Sequence, residues 1–101
     1  MEARMVTLTP KPGHVDDLSA FWDDTVVAEI AGQQGNRGFV LLKDVAHDRV
    51  VGVSLWASTA DVDAAAPIVR AHMASIADHL ASPPEVTRVE VAAVTSEALT
   101  R

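Results

Sequence analysis

Apolar and polar positions alternate in four stretches of this 101-residue chain and recur at steps of three and four in two others. The switch between those periods lays out the elements, because side chains repeat every two residues along a strand and every 3.6 along a helix. Residues 3–9 alternate, with Met5, Thr7 and Thr9 on one side and Arg4, Val6 and Leu8 on the other. Pro10, Pro12 and Gly13 then stop the strand, since proline cannot donate to a ladder and glycine permits a sharp turn. Over residues 14–31 Val15, Leu18, Trp22, Val26 and Ile30 form one helical stripe, widened by Phe21. Asp16 and Asp17 suit the positive end of that helix, and Gly32 is the expected left-handed cap.

Residues 36–58 form the organising centre, two strands joined by a short turn. Phe39 and Leu41 oppose Val40 and Leu42; Val51, Val53 and Leu55 oppose Val50, Gly52, Ser54 and Trp56. Both faces of these strands are apolar, the pattern of a sheet covered on both sides. Ser58 or Thr59 makes a good N-cap for a helical region over residues 60–80, with Ile68, Val69, His72, Met73, Ile76 and Leu80 along one side. Pro67 interrupts it, so the expectation is a short helix, a break, and a longer helix starting near Pro67. Ser82-Pro83-Pro84 ends that region, residues 85–94 alternate as a last strand, and residues 96–101 are expected to fray.

The order strand, helix, strand, strand, helix, strand predicts a single α+β domain spanning 1–101: a ferredoxin-like βαββαβ fold whose four-stranded antiparallel sheet carries both helices on one face. The other face is also apolar, so a second copy of the sheet is expected to cover it in a homodimer. Composition agrees, since 49% of the residues are hydrophobic, more than a small monomer easily hides. A net charge of -6 with scattered basic residues argues against nucleic acid. The chain has no cysteine, which excludes disulfides, thiol catalysis and thiolate metal sites. The N-terminus lacks the features of a leader peptide, and no apolar run approaches the ~20 residues that span a bilayer. The expectation is a cytoplasmic domain with no membrane contact.

Two segments carry a resemblance. Thr9-Pro10-Lys11-Pro12-Gly13-His14-Val15-Asp16-Asp17-Leu18 resembles the strand-to-helix junction of antibiotic biosynthesis monooxygenase-like domains, and Arg49 to Ser58, ending Leu-Trp-Ala-Ser, resembles their third strand. With Asn36-Arg37-Gly38-Phe39 opening the second strand, the likeness runs from about residue 4 to residue 94. It implies the dimeric α/β-barrel fold, in which each subunit keeps a pocket between sheet and helices. Trp56 is similar to the strand-end tryptophan of the cofactor-free oxygenases, while the Asn expected four residues earlier is replaced by Gly52. Haem-degrading relatives use an Asn on the first strand with a Trp and a His in the second helical region. Of these the chain offers only His72, so that triad is absent.

His72 is the leading candidate for catalysis, as a general base with an ordinary pKa near 6.5; the structural alternative is a core-edge histidine bonded to backbone. Trp56 and Trp22 read either as aromatic walls for a flat ligand or as the largest core residues, and Met73, beside His72 on the stripe of the second long helix, is a further substrate-binding candidate. Asn36 and Arg70 are candidates for a polar substituent of the ligand, or else surface residues. His72 and His79, seven apart, are too widely spaced for one metal, and His14 reads as part of a helix start. No metal or cofactor is implied. Two functions remain in view: a cofactor-independent monooxygenase of an aromatic or polyketide-like molecule, and a non-catalytic dimeric domain that binds a small apolar ligand or serves as a scaffold. A cyclase or isomerase is a weaker third.

Overall fold

A computed structural model describes residues 1–94; the tail expected to fray lies outside the described residues. Strands β1 (Glu2–Leu8), β2 (Asn36–Asp44), β3 (Arg49–Trp56) and β4 (Glu85–Glu90) form one antiparallel sheet in the order β2-β3-β1-β4. This is the ferredoxin-like arrangement that the periodicities predict. The last strand is four residues shorter than the alternation suggested.

Register assigns each residue to a face. Arg4, Val6 and Leu8 of β1 stand opposite Ser54, Gly52 and Val50 of β3, and Phe39 and Leu41 of β2 stand opposite Ser54 and Gly52. These residues share the helix side of the sheet. Ala3, Met5 and Thr7 share the outer side with Leu55, Val53 and Val51, and with Val40 and Leu42. Among the described residues no helix packs on that outer side; Leu42 is 49% exposed there, while Ala3 and Leu55, at the other end of the face, are buried.

The first helix runs as α-helix over Val15–Phe21, as π-helix over Trp22–Val27 and again as α-helix over Ala28–Ala31. Its predicted stripe is buried at every position: Val15, Leu18, Trp22, Val26 and Ile30. Gly32 is not the left-handed cap; it keeps φ −80, and the turn is made instead at Gly35, with φ +80. A side chain on Gly35 would collide with the Asp61 carboxylate, so glycine is required there both for conformation and for space.

The second helix, Thr59–Ser75, is continuous through Pro67, which corrects the expected break. Ser58 caps it as expected, its Oγ accepting from the Asp61 N–H at 3.3 Å. Pro67 is exposed while Val62, Ala65 and Val69 are buried. The carbonyl that loses its partner, on Asp63, therefore lies on the solvent side, where water can replace the missing N–H. A 3-10 turn over Ala77–His79 follows. A bridge between Pro10 and Leu80, flanked by Lys11 N–H to His79 O at 3.0 Å and Ala81 N–H to Thr9 O at 2.8 Å, ties its end to the end of β1. Among the described residues, no helix is long and apolar enough to cross a membrane.

Because Pro67 costs the helix a hydrogen bond on its wet side, Pro67→Ala should stabilise the fold by about 1–3 kcal/mol. Urea unfolding checks this; a lower midpoint in the variant would show that the ring itself contributes packing.

Candidate functional site

The space between the sheet and the first helix, where a pocket was expected, is filled. Trp56 is 0% exposed. Its indole N–H donates to Ser54 Oγ at 2.8 Å, and that hydroxyl reaches the Arg4 carbonyl at 3.4 Å. Trp22 is equally buried, yet its indole N–H has no partner. It lies over Gly52. A Cβ built there would sit 3.3 Å from Trp22 Nε1 and 3.1 Å from Phe39 Cζ. The glycine that replaces the expected polar residue is thus the one that admits Trp22 and Phe39. Both tryptophans are core residues rather than walls of an open pocket.

The other candidates are not gathered around a cavity. Asn36 spans the irregularity at the start of β2, its Oδ1 accepting from the Gly38 N–H at 3.1 Å. Met73 packs half-buried against the core, and Arg70 is exposed. His72 bonds neither to backbone nor to another candidate: its Nε2 lies 2.6 Å from Glu29 Oε2, joining the two helices, and its side chain is 17% exposed. The ring also meets Phe21 edge-on, with centroids 6.5 Å apart.

Phe21 connects this pair to an open cleft of about 420 Å³. Pro10, Leu18, Phe21 and Ile76 give it apolar walls, and His14, Asp17, Ser75 and His79 form its polar part. His14 Nδ1 lies 3.1 Å from Asp17 Oδ2. The Pro10–Leu80 bridge assembles the cleft by bringing the turn after β1 against the 3-10 turn after the second helix. Sequence reading missed it because its two halves lie some 60 residues apart and neither has a repeat. The only signal was the pair of histidines, His14 and His79, each beside a chain turn. A second, polar hollow of about 330 Å³ lies at the opposite end of the sheet, among Glu2, Ser58, Thr59, Arg88 and Glu90.

A ferredoxin-like sheet with an apolar face turned away from its helices and a helix-side cleft defines a small α+β domain of the kind the two sequence segments resemble. The chain belongs to the antibiotic biosynthesis monooxygenase family, whose model matches residues 1–66. No curated protein matches it. Among solved structures, a protein of unknown function from Nitrosomonas europaea is 27% identical, with a TM-score of 0.79 over 93% of this chain and 91% of that one. A protein from Mycobacterium tuberculosis is 19% identical, with a TM-score of 0.75 over 92% of this chain and 96% of that one. A monooxygenase of Streptomyces coelicolor, in complex with nanaomycin D, is 16% identical, with a TM-score of 0.76 over 93% of this chain and 89% of that one. The last two likenesses are of fold.

The close approach at Gly52 has a measurable consequence. Gly52→Ala should cost about 1–3 kcal/mol through overpacking, and adding Phe39→Leu should make the double variant less destabilised than the sum of the singles. Denaturant unfolding of the three variants checks it; strict additivity would mean that Phe39 is not the obstructing group.

Proposed function

We propose that this protein binds a flat, ionisable aromatic molecule in the cleft between its two helices and oxygenates it without a cofactor. The observation that carries the reading is an apolar cleft bearing an imidazole–carboxylate pair, in a member of a monooxygenase family. In this chemistry the substrate itself is the reductant. A base removes a proton from an activated ring CH₂, and the resulting anion passes electrons to O₂. One oxygen atom enters the product as a carbonyl and the other leaves as water. The protein has only to bind, deprotonate and desolvate.

Phe21, Leu18 and Ile76 are the surfaces on which a ring would lie. His14, oriented by Asp17, is the proton acceptor of this reading, and His79 is the second imidazole within the cleft. His72, the base expected from sequence, stands behind Phe21 with Nε2 engaged by Glu29; in this reading it fixes the cleft wall. The closed interior around Trp56 supports a second reading, a non-catalytic domain that holds a small apolar ligand in the same cleft. Oxygen uptake with an anthrone separates the two. Catalysis predicts consumption of O₂ that falls about 10²–10⁴-fold in His14→Ala, with His72→Ala losing much less. Saturable binding without uptake would leave the ligand-binding reading, and no binding at all would remove both.

The apolar outer sheet face supports a homodimer, with Met5, Val40, Val51 and Val53 of two copies packed face to face into the family's α/β barrel. A cysteine-free, acidic chain suits the cytoplasm as its location. Light scattering at micromolar concentration should give twice the chain mass, and Val53→Lys should give a single chain. A native monomer would defeat the dimer.

A further inference from the structure

Arg4 is a buried cation without an assigned partner. It is 6% exposed, its Nε has no hydrogen-bond partner, and no ion pair among the described residues includes it. Register fixes its surroundings on the helix side of the sheet, with Ser54 across on β3 and Arg88 across on β4. Like charges directly opposite in a ladder repel, and a desolvated guanidinium without a counter-ion is costly.

Neither neighbour relieves that cost. Arg88 is already engaged, by Glu2 Oε1 at 2.8 Å and Asp63 Oδ1 at 2.7 Å. A third guanidinium, on Arg70, follows Asp63 by seven residues, two turns or about 10 Å further along the same face of the second helix. Long helical side chains lean toward the helix N-terminus, which directs Arg70 back toward Arg4 and Arg88. Burial, then repulsion from Arg70 and from Arg88, holds the Arg4 guanidinium below its usual pKa.

Space is present beside this cluster. On the helix side of β4, Val86 stands opposite buried Val6 yet is itself 44% exposed, so the second helix leaves a groove along the edge strand. Three of the chain's eight basic residues, Arg4, Arg70 and Arg88, gather at that groove with the carboxylates of Glu2, Asp63 and Glu90, and Arg88 takes up two of these, Glu2 and Asp63.

We propose that the groove between the second helix and β4 is an oxyanion site, in which Arg4 and Arg70 hold a carboxylate or phosphate group. Guanidinium forks suit both groups, because each offers paired oxygens for charge-assisted hydrogen bonds. The site is separate from the aromatic cleft. Arg4 lies six positions from Pro10 in an extended chain, about 20 Å away, so the proposal stands whether or not the cleft is catalytic.

The test is thermal unfolding of the full chain in phosphate and in benzoate, each against chloride at matched ionic strength, with calorimetry for stoichiometry. One saturable site per chain is expected, and the anion that saturates at lower concentration identifies the preferred group. Arg70→Gln, an exposed change that leaves the fold intact, should weaken the apparent affinity about tenfold. Arg4→Gln should abolish the saturable rise while leaving the anion-free protein at least as stable, since a buried cation is removed. An equal rise in all three salts, or an Arg70→Gln titration indistinguishable from the native one, overturns the proposal.

Discussion

The fit of Trp22 against Gly52 governs how everything else is placed. An indole on the inner face of the first helix needs depth, and the sheet provides it at the one β3 position on that side with no side chain. Phe39, from the neighbouring strand, closes the remaining gap. With that volume occupied, the helix lies directly on the sheet and no ligand-sized space survives between them. The opening appears instead at the outer margin of the helix layer, where Phe21, next to Trp22 in sequence, turns toward the second helix and His72. One packing choice in the core therefore moves the candidate site by a helix face.

The two ends of the sheet differ in chemistry because different chain connections meet there. At the start of β1, the Thr59 hydroxyl and the Arg88 guanidinium converge on Glu2, and together they hold its carboxyl below the usual pKa. That network belongs to the beginning of the second helix and the end of β4. At the other end, backbone bonds join two turns and leave imidazoles around an apolar hollow. The first end is lined by charged groups, and the second offers an apolar surface edged by imidazoles.

Most of the fold was legible because burial imposes a period. Every residue of the first helical stripe is buried, and the face assignments in the central hairpin agree with the register, since one slip would have reversed them all. What failed to read were places where local chemistry is answered by solvent or by distant chain. Pro67 looked like a break, but the carbonyl it strands faces water. Gly32 looked like a cap, but the space limit set by Asp61 lies at Gly35. The cleft could not be read at all, because it depends on the Pro10–Leu80 bridge. His72 stood out on its apolar stripe, and its partner is a carboxylate 43 residues earlier rather than backbone.

That last pairing also bears on how catalysis and binding are to be weighed. An imidazole with one nitrogen fixed by a carboxylate is oriented, which is half of what a general base needs. The other half is access to a substrate, and for His72 the Phe21 ring stands between it and the open cleft. His14 has both features, a carboxylate at hydrogen-bonding distance and a place in the cleft wall, though it holds them in a more solvent-exposed setting. Exposure weakens the electrostatic leverage that a water-excluding site provides. A ring that covers His14 on docking would restore part of it. In the proposed reaction, turnover is therefore tied to how completely the ligand closes the cleft, and a ligand too small to shield His14 from water would be held without being turned over.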